Sequence, residues 1–420
     1  MPLSKRSSRS RARTLTVATL CVCAAVGSAA PTLAAGQVHH AGLQRGALLS
    51  ATEVEGLDAA EATAYVRGMG FAAPAAQHGV DVYRVTYRTI GPTGLATIAS
   101  GVVALPRAAS RHGRLQGLRT VEYTHGTLPY RGDAASVTDG PDRAVTVMFA
   151  GAGFAAVAPD YLGLGVGPGQ HPYMDINSET TASVDLLKAA RTFEAGKRAT
   201  LDGKVMVTGF SQGGTAALGL GRALQRDAVP GLRLAALAPV SGPYDLSGAE
   251  LPAAFDGRLA PPTATFYLAY VLTAWNRLHH LYRSPAEAFR APYAGTVEAL
   301  FDGNHTDEQI AAGLPGTPEE LLTPQFIHYL KHPTGVLAQI LRTADTVCTD
   351  WAPRAPIRLY DADLDRDVAV ADTLSCQHSL AANGVTAPIV NAGNVDHIGS
   401  ALASYPKILH WFSQLTPTQQ

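Results

Sequence analysis

A serine held between two glycines has the setting in this chain that best suits nucleophilic chemistry. The pattern is Gly209-Phe-Ser211-Gln-Gly213. It lies between a β-rich run, residues 204–210, and a run of small residues, 213–225, typical of a helix. A tight turn from strand to helix presents a hydroxyl group, and flanking glycines avoid collisions with neighbouring backbone. A bystander serine in a glycine-rich turn is the alternative, because so short a motif also arises by chance. We predict that Ser211 is a nucleophile.

A serine hydroxyl becomes a good nucleophile when a neighbouring base removes its proton, and histidine suits that role near neutral pH. The chain has 14 histidines, so position has to select among them. His397 is the one that lies between the last predicted strand, residues 387–391, and the last predicted helix, residues 400–414. We therefore predict that His397 is the base and that it lies in a loop.

Four carboxylates follow the predicted strand at residues 357–360, and each is a candidate for the acid that orients the histidine. They are Asp361, Asp363, Asp365 and Asp367. Position favours Asp365, because it lies on the loop ahead of the next predicted helix, with Val368 three residues further on. Asp363 is the second choice, and Asp361 and Asp367 are the remaining ones.

Cleavage of an ester or amide also needs N–H donors for the negative charge that develops on the carbonyl oxygen. The backbone N–H of Gln212 is one candidate, because this residue directly follows the nucleophile. The second donor is expected from the loop His125-Gly126-Thr127, which follows a predicted strand. We predict the N–H of Thr127 as that donor, with Gly126 allowing close approach and His125 orienting the loop. A metal ligand or a core histidine is the alternative for His125.

Strand-like and helix-like runs alternate along most of the chain, which predicts an α/β fold with a mostly parallel sheet flanked by helices. Two strand-like runs without a helix between them, residues 80–89 and 97–105, predict an antiparallel edge. Residues 242–348 contain helical patterns only, so we predict a helical cap inserted before the acid-bearing strand. The predicted domains are an N-terminal arm at 35–79, a core at 80–241 and 349–420, and the cap at 242–348.

Residues 1–34 have the three parts of a secretion signal: a basic stretch, a short apolar run and small residues, with cleavage expected near Ala34. Their five basic residues are accompanied by no acid, so their removal changes the formal net charge from −1 to −6. Neither value suits a nucleic-acid binder, which needs a basic face. Removal also takes away Cys21 and Cys23. The two remaining cysteines, Cys348 and Cys376, are predicted to pair in an oxidising compartment, with two buried thiols as the alternative. No later apolar run is long enough to span a membrane.

Several motifs together resemble the secreted lipase/esterase (secretory lipase-like) branch of the α/β-hydrolase superfamily. They are Tyr123-Thr-His-Gly-Thr127, Pro159-Asp-Tyr-Leu-Gly-Leu-Gly165, His171-Pro-Tyr173, Gly209-Phe-Ser-Gln-Gly-Gly214 and Asp396-His397. The chain order Ser211, Asp365, His397 is the order of this superfamily. The resemblance implies hydrolysis of a carboxylic ester through an acyl-enzyme on Ser211. This chemistry needs no metal or cofactor, and we expect a monomer that acts on a small-molecule or lipid ester. The acid loop departs from the usual pattern, since Asp361-Ala362 stand where a glycine is usual.

Two other functions remain open on the same fold: a cap-type aminopeptidase or amidase, and a binding protein without catalytic activity. One helix is also open to two interpretations. Residues 266–278 are apolar nearly all round, which fits a helix buried in the cap core or one that lines an acyl pocket. The glycine-rich stretch Gly163-Leu-Gly-Val-Gly-Pro-Gly169 is interpreted as a tight loop, because no helix pattern follows it directly.

Overall fold

Nine β-strands form one sheet in the computed structural model of the chain, which describes residues 44–108, 115–197 and 199–415. Their order across the sheet is β1-β2-β3-β5-β4-β6-β7-β8-β9. The strands are β1 (Leu48–Leu57), β2 (Val80–Ile90), β3 (Ala96–Pro106), β4 (Leu115–Thr124), β5 (Ala155–Pro159), β6 (Ala199–Phe210), β7 (Arg233–Val240), β8 (Leu359–Asp361) and β9 (Ile389–Asn391). The predicted signal segment, residues 1–34, lies outside the described residues.

The sheet is antiparallel at one edge and parallel over the rest. β1, β2, β3 and β5 pair antiparallel in succession, whereas β5, β4, β6, β7, β8 and β9 all pair parallel. The predicted mostly parallel sheet with an antiparallel edge is therefore confirmed. Because parallel strands end on the same side, the loops after β4, β6, β8 and β9 meet at one edge of the sheet.

The predicted short helix within residues 35–79 is present at Ala59–Gly68, and the outermost strand β1, which was not predicted, precedes it. Eight of the ten residues of β1 have a partner in β2, from Leu48 opposite Tyr87 to Leu57 opposite Val80. The sequence carries no strand signal here because both sides of β1 are largely solvent-facing, with Leu49 still 43% exposed. An edge strand without a buried face lacks the apolar alternation by which strands are recognised.

Helices cover both faces of the sheet. Within β6, Met206 packs into one core and its neighbours Val205 and Val207 into the other, as the alternation of a strand requires. The helices on the Met206 side are α1 (Ala59–Gly68), α2 (Pro141–Gly151) and α14 (His397–Gln414). Those on the other side are α3 (Ile176–Gly196), α4 (Gln212–Gln225) and α13 (Val370–Ala382).

Residues 242–348, called the helical segment below, contain no strand of the sheet and have an apolar core of their own around Trp275 and Phe301. The helices are α5 (Leu251–Asp256), α6 (Pro261–His279), α7 (Pro285–Ala288), α8 (Val297–Leu300), α9 (Asp307–Ala312), α10 (Pro318–Leu321), α11 (Pro324–Lys331) and α12 (Gly335–Ala344). One predicted helix, at 317–330, is two helices. It breaks because a proline, Pro324, disfavours helical geometry at the preceding residue.

A disulfide joins Cys348, at the end of the helical segment, to Cys376 on α13. The structure thus contains the pair predicted from the two cysteines that follow the signal segment. Both residues are buried, at 2% and 1% exposure, against Trp351 and Leu380 of the same core. The bond ties the helical segment to the helix that follows the acid loop.

In the described part of the chain, no helix combines the length and the apolar character needed to cross a membrane. The same residues also contain no group of three or more His, Cys, Asp or Glu side chains arranged to hold a metal ion.

Candidate active site

Ser211 occupies a strained turn between β6 and α4. Its φ of 56° lies in the left-handed region that residues with side chains rarely adopt. The two flanking glycines are required by space. A Cβ on Gly209 would lie 2.1 Å from the carbonyl oxygen of Gly213, and a Cβ on Gly213 would lie 2.0 Å from that of Thr124. The chain therefore makes the strand-to-helix turn predicted from the motif, and this turn sets the serine at the sheet edge.

Asp365 and His397 form a buried hydrogen-bonded pair. Nδ1 of His397 lies 2.7 Å from Oδ2 of Asp365, and the two side chains are 4% and 3% exposed. The other carboxylate oxygen, Oδ1, accepts the backbone N–H groups of Asp367 and Val368, at 3.0 Å each. The carboxylate is thus fixed by its own loop. Because a carboxylate accepts, Nδ1 carries the proton and Nε2 carries the lone pair.

His397 is the first residue of α14, which corrects the prediction that it lies in a loop. Asp396 caps this helix, its Oδ1 accepting the N–H of Gly399 at 2.7 Å, so the helix starts three residues before the predicted position. The imidazole ring packs on Phe210, with 4.6 Å between ring centroids, and Phe210 directly precedes the serine. Nε2 of His397 is buried and has no hydrogen-bond partner among the described residues. It is therefore the ring nitrogen with a free lone pair, on a ring that contacts the residue before Ser211.

The other carboxylates of the acid loop are engaged elsewhere. Asp361 and Asp363 each accept a hydrogen bond from the side-chain amide of Asn391, at 3.0 Å and 2.9 Å. Asp367 donates its backbone N–H to Asp365 and has no side-chain hydrogen bond to the histidine. Of the four candidates, the structure brings Asp365 to His397.

The predicted oxyanion residues lie next to the serine. As the first residue of α4, Gln212 has a backbone N–H without a carbonyl partner inside the helix. The loop His125–Thr127 lies on the other side: a Cβ on Gly126 would be 3.2 Å from the Phe210 ring and 3.5 Å from Cβ of Ser211. Nδ1 of the fully buried His125 hydrogen-bonds the carbonyl of Gly126 at 2.7 Å, which fits the loop-orienting role.

A narrow apolar cavity of about 70 Å³ opens on Ser211 and Gln212. One face of α6 forms much of its wall, through Ala264, Tyr267, Leu268, Val271, Leu272 and Trp275. These positions repeat every three or four residues, as one face of a helix does. Leu268 and Trp275 also belong to the core of the helical segment. Both interpretations of this helix therefore hold: it is buried in that core and it lines the cavity beside the serine.

One carboxylic acid, Glu250, lines this cavity together with the apolar side chains, and sequence reasoning missed it. Its Oε2 accepts the backbone N–H of Ala369 at 3.0 Å. Burial raises the pKa of Glu250 to about 7. The residue ends a short π-helical turn, Leu246–Glu250, at the start of the helical segment. No motif surrounds it in the sequence, so only the three-dimensional path of the chain reveals its place.

A second group missed by sequence reasoning lies behind Gln212. Its side-chain amide nitrogen donates to Oε1 of Glu179 at 2.7 Å and lies 3.0 Å from Nε2 of His171. Burial raises the pKa of Glu179 to about 8 and lowers the pKa of His171 to about 3. Both groups are therefore uncharged at neutral pH, as expected for polar side chains that are 1% and 4% exposed.

The loop Gly163–Gly169 is a tight loop, as interpreted from the sequence. Oδ2 of the buried Asp160 accepts the hydroxyl of Ser100 at 2.6 Å, and Oγ of Ser100 accepts the N–H of Val166 at 3.0 Å. A Cβ on Gly165 would lie 2.2 Å from the same carboxylate. The loop is thus fastened to β3 through an acid at the end of β5.

A mostly parallel sheet with a serine on the turn after one strand, an acid after a later strand and a histidine after the last one defines the α/β-hydrolase fold. No protein-family model matches the sequence, and no curated protein matches it. Several solved structures, however, do match this chain. A hydrolase-like protein from Legionella pneumophila is 25% identical, with a TM-score of 0.79 over 89% of this chain and 99% of the other.

Two further neighbours carry names of activities. A ligand-bound form of the rice cell wall degrading esterase LipA from Xanthomonas oryzae is 26% identical, with a TM-score of 0.77 over 88% of this chain and 98% of that one. Candida antarctica lipase A is 16% identical, with a TM-score of 0.59 over 84% and 78%, and this likeness concerns the fold alone. The predicted α/β-hydrolase fold and the resemblance to hydrolases and esterases of that superfamily are confirmed.

Proposed function

We propose that the chain is a secreted serine hydrolase that cleaves carboxylic esters through an acyl-enzyme on Ser211. The observation that carries the proposal is the hydrogen bond from Nδ1 of His397 to Asp365, which leaves Nε2 free beside the serine turn. The structural likeness to an esterase at 26% identity over most of both chains supports the class of carboxylic ester hydrolase.

The first chemical step is attack of Oγ of Ser211 on the ester carbonyl carbon. Nε2 of His397 takes the hydroxyl proton while the new C–O bond forms, and the carbonyl π electrons move onto the oxygen. The backbone N–H groups of Gln212 and Thr127 stabilise that oxyanion, which is worth about 2.7–4 kcal/mol of barrier for each donor. Asp365 keeps the ring in the reactive tautomer and stabilises the imidazolium.

The second step releases the alcohol. Collapse of the tetrahedral intermediate breaks the bond to the leaving oxygen, which receives the proton from Nε2 of His397. An acyl group then remains on Ser211. A water molecule attacks it by the same route, with His397 as the base, and the carboxylic acid leaves. Neither step requires a metal or a cofactor.

The apolar cavity favours an ester with a hydrocarbon acyl group. Most of its lining residues belong to the helical segment, and the others are Tyr173, Met174, Val368 and the turn that carries the serine. We therefore propose that residues 242–348 act as a cap over the site. The wall of α6 offers aliphatic and aromatic contacts to a chain that extends away from the reacting carbonyl.

Secretion is part of the proposal. The disulfide between Cys348 and Cys376 suits an oxidising compartment, and the N-terminal sequence has the pattern of a secretion signal. The expected state of the mature chain is a monomer that acts on small-molecule or lipid esters.

A panel of p-nitrophenyl esters from acetate to palmitate tests the function. We expect the wild type to hydrolyse them and Ser211→Ala to lose at least 10³-fold in kcat. Ser413→Ala is the matched control, because Ser413 lies on α14 and donates only to the carbonyl of Leu409. A fluorophosphonate probe should label the wild type on Ser211 alone. Full retention of activity by Ser211→Ala would refute the proposal, and turnover of aminoacyl anilides without ester turnover would replace it by the aminopeptidase.

A further inference from the structure

The tripeptide His171–Tyr173 lies between β5 and α3, and none of its side chains takes part in the nucleophilic attack or the proton transfers proposed above. His171 and Tyr173 are 4% and 5% exposed. Each carries a polar group that a buried site has to satisfy. His171 hydrogen-bonds Gln212 and Tyr173 hydrogen-bonds Thr127, and these two partners carry the proposed oxyanion donors.

His171 holds the side chain of Gln212. Its Nδ1 hydrogen-bonds the carbonyl of Leu162 at 2.9 Å, so Nδ1 is the protonated nitrogen and Nε2 is an acceptor. Nε2 accepts one N–H of the Gln212 amide, and Oε1 of Glu179 accepts the other. Because both N–H groups of that amide are engaged in a buried site, the residue cannot rotate without losing a hydrogen bond.

Tyr173 holds the other donor. Its hydroxyl lies 2.9 Å from Oγ1 of Thr127. The ring stacks on Tyr270 of α6, with centroids 4.1 Å apart and an angle of 5° between planes. The hydroxyl of Tyr270 in turn donates to the carbonyl of Leu128 at 3.2 Å. Two tyrosines thus fix the loop that follows β4.

A third contact joins the same tripeptide to the start of that loop. The His171 ring stacks on Tyr161, with planes 9° apart and centroids separated by 5.7 Å. Tyr161 lies 4.3 Å from the His125 ring and donates its hydroxyl to the carbonyl of His125 at 3.3 Å. Tyr161 itself has a positive φ of 63°, a conformation that persists only where packing enforces it.

We propose that His171 and Tyr173 are positioning residues that together set the distance between the two oxyanion donors, the N–H groups of Gln212 and Thr127. Pro172 between them limits backbone rotation, so the two anchors act as one rigid link. Oxyanion donors work only within about 2.7–3.1 Å of the developing charge, and a displacement of about 1 Å costs on the order of 10²-fold in rate. The proposal rests on the ester hydrolysis proposed above.

Two variants remove one anchor each and keep the aromatic ring: His171→Phe and Tyr173→Phe. We expect each to lower kcat on a p-nitrophenyl ester at least tenfold with less than a threefold change in KM, because the bound ester carries no oxyanion before the serine attacks. The inhibition constant of a trifluoromethyl ketone, whose serine adduct carries an oxyanion, should rise in proportion to the loss in kcat/KM. A residue that merely supports the fold would not produce this proportion.

Matched controls lie away from the site. His410→Phe changes an exposed histidine on α14, and Tyr65→Phe removes a hydroxyl that donates to the carbonyl of Asp139. Both should keep kcat within twofold.

Glu179 tests the second hydrogen bond to the Gln212 amide. Glu179→Gln keeps an oxygen that accepts from Gln212 and should keep at least a third of kcat, whereas Glu179→Leu should lose at least tenfold in kcat.

Gln212→Met tests the His171 link from the other side and is useful if His171→Phe folds poorly. It keeps the backbone N–H and the side-chain length but removes the hydrogen bonds. Since His171→Phe and Gln212→Met break the same link, the His171→Phe/Gln212→Met double variant should lose little more kcat than either single variant. Melting temperatures identify any variant that has lost its fold.

The outcomes separate the two proposals. A wild type that hydrolyses no ester and is not labelled by a fluorophosphonate overturns the ester hydrolase and this inference with it. An active wild type whose His171→Phe and Tyr173→Phe variants both stay within threefold of its kcat overturns the inference alone. A loss in kcat with an unchanged trifluoromethyl ketone inhibition constant also overturns it.

Discussion

Oδ2 of Asp365 lies 2.7 Å from Nδ1 of His397, while the neighbouring Asp363 is exposed and bonded to Asn391. The two carboxylates, two residues apart, should therefore differ sharply in importance. Asp365→Asn presents an amide in place of the carboxylate and favours the wrong imidazole tautomer, so we expect kcat to fall about 10³–10⁴-fold. Steady-state kinetics on a p-nitrophenyl ester measures the loss.

Asp363→Asn is the control for this prediction, because it makes the same chemical change at a position that does not touch the histidine. Its kcat should stay within threefold of wild type. The reverse pattern, with the large loss in Asp363→Asn, would contradict the assignment of Asp365.

The Val271 side chain contributes to the wall of the apolar cavity. In Val271→Trp a larger side chain should fill the space next to Ser211, so kcat/KM for the decanoate ester should fall at least tenfold while the value for acetate stays within threefold. The ester panel measures the ratio. Val336→Trp on α12, where Val336 is 43% exposed, is the matched control. Equal losses for both esters would show that α6 does not line the acyl site.

The sequence predicts most of the sheet because β2 to β7 carry buried, apolar runs of the expected length. It misses β1, whose side chains are mostly exposed, and it joins α10 to α11 across Pro324. Local apolar periodicity and turn chemistry carry the information about the other strands and helices. An edge strand is instead held by backbone pairing to β2, which leaves no mark in the side-chain pattern.

The candidate site likewise contains residues that the sequence predicts and residues that only the fold brings together. Ser211, Asp365 and His397 can be predicted because each follows a strand, in an order that is typical of one superfamily. Glu250 and Glu179 were not found, since their places depend on how the helical segment and α3 pack against α4. The motif His171-Pro-Tyr173 was noticed in the sequence, but its contacts with Gln212 and Thr127 span 41 and 46 residues and follow from the fold alone.

The disulfide closes a loop between Cys348 and Cys376, which are 28 positions apart. A crosslink over a loop of this size stabilises a folded chain by about 3 kcal/mol, largely by restricting the unfolded state. The Cys348→Ala/Cys376→Ala double variant should therefore have a melting temperature several degrees lower than wild type. Reduction should lower the melting temperature of the wild type alone. Two reactive thiols in the denatured, unreduced chain without residues 1–34 would show that the bond is absent.

Glu194 on α3 is 1% exposed and neither carboxylate oxygen has a partner among the described residues. Burial raises the pKa of Glu194 from 4.5 to about 8. Glu194 therefore binds its proton more tightly in the folded state than in the unfolded state. Its contribution to the free energy of unfolding is full below pH 4.5 and is lost as the pH rises to 8. Relative to wild type, Glu194→Gln should gain on the order of 3 kcal/mol between pH 5 and pH 8. Urea unfolding at the two pH values measures this difference. A difference that does not change with pH would contradict the raised pKa.

The last prediction concerns Glu250, the carboxylic acid in the wall of the apolar cavity. Its pKa is raised to about 7, chiefly by burial and in smaller part by the charge of Asp365, although hydrogen bonds with Asp372 and with the N–H of Ala369 act in the opposite direction. The group is therefore uncharged below pH 7 and charged above. An acyl chain that fills the cavity displaces water from Glu250 and so disfavours the charged form. We expect KM for a decanoate ester to rise about three- to tenfold from pH 6.5 to pH 8.5.

Glu250→Gln keeps the shape of the side chain and cannot ionise, so its KM for decanoate should not change over the same pH range. An acetate ester serves as the second control, since its acyl group is too short to displace water along α6, and its KM should be independent of pH in both proteins. The comparison uses KM alone, so changes of kcat with pH do not enter it. A wild-type KM for decanoate that stays constant, or one that rises equally in Glu250→Gln, would show that this carboxyl does not face the bound acyl chain.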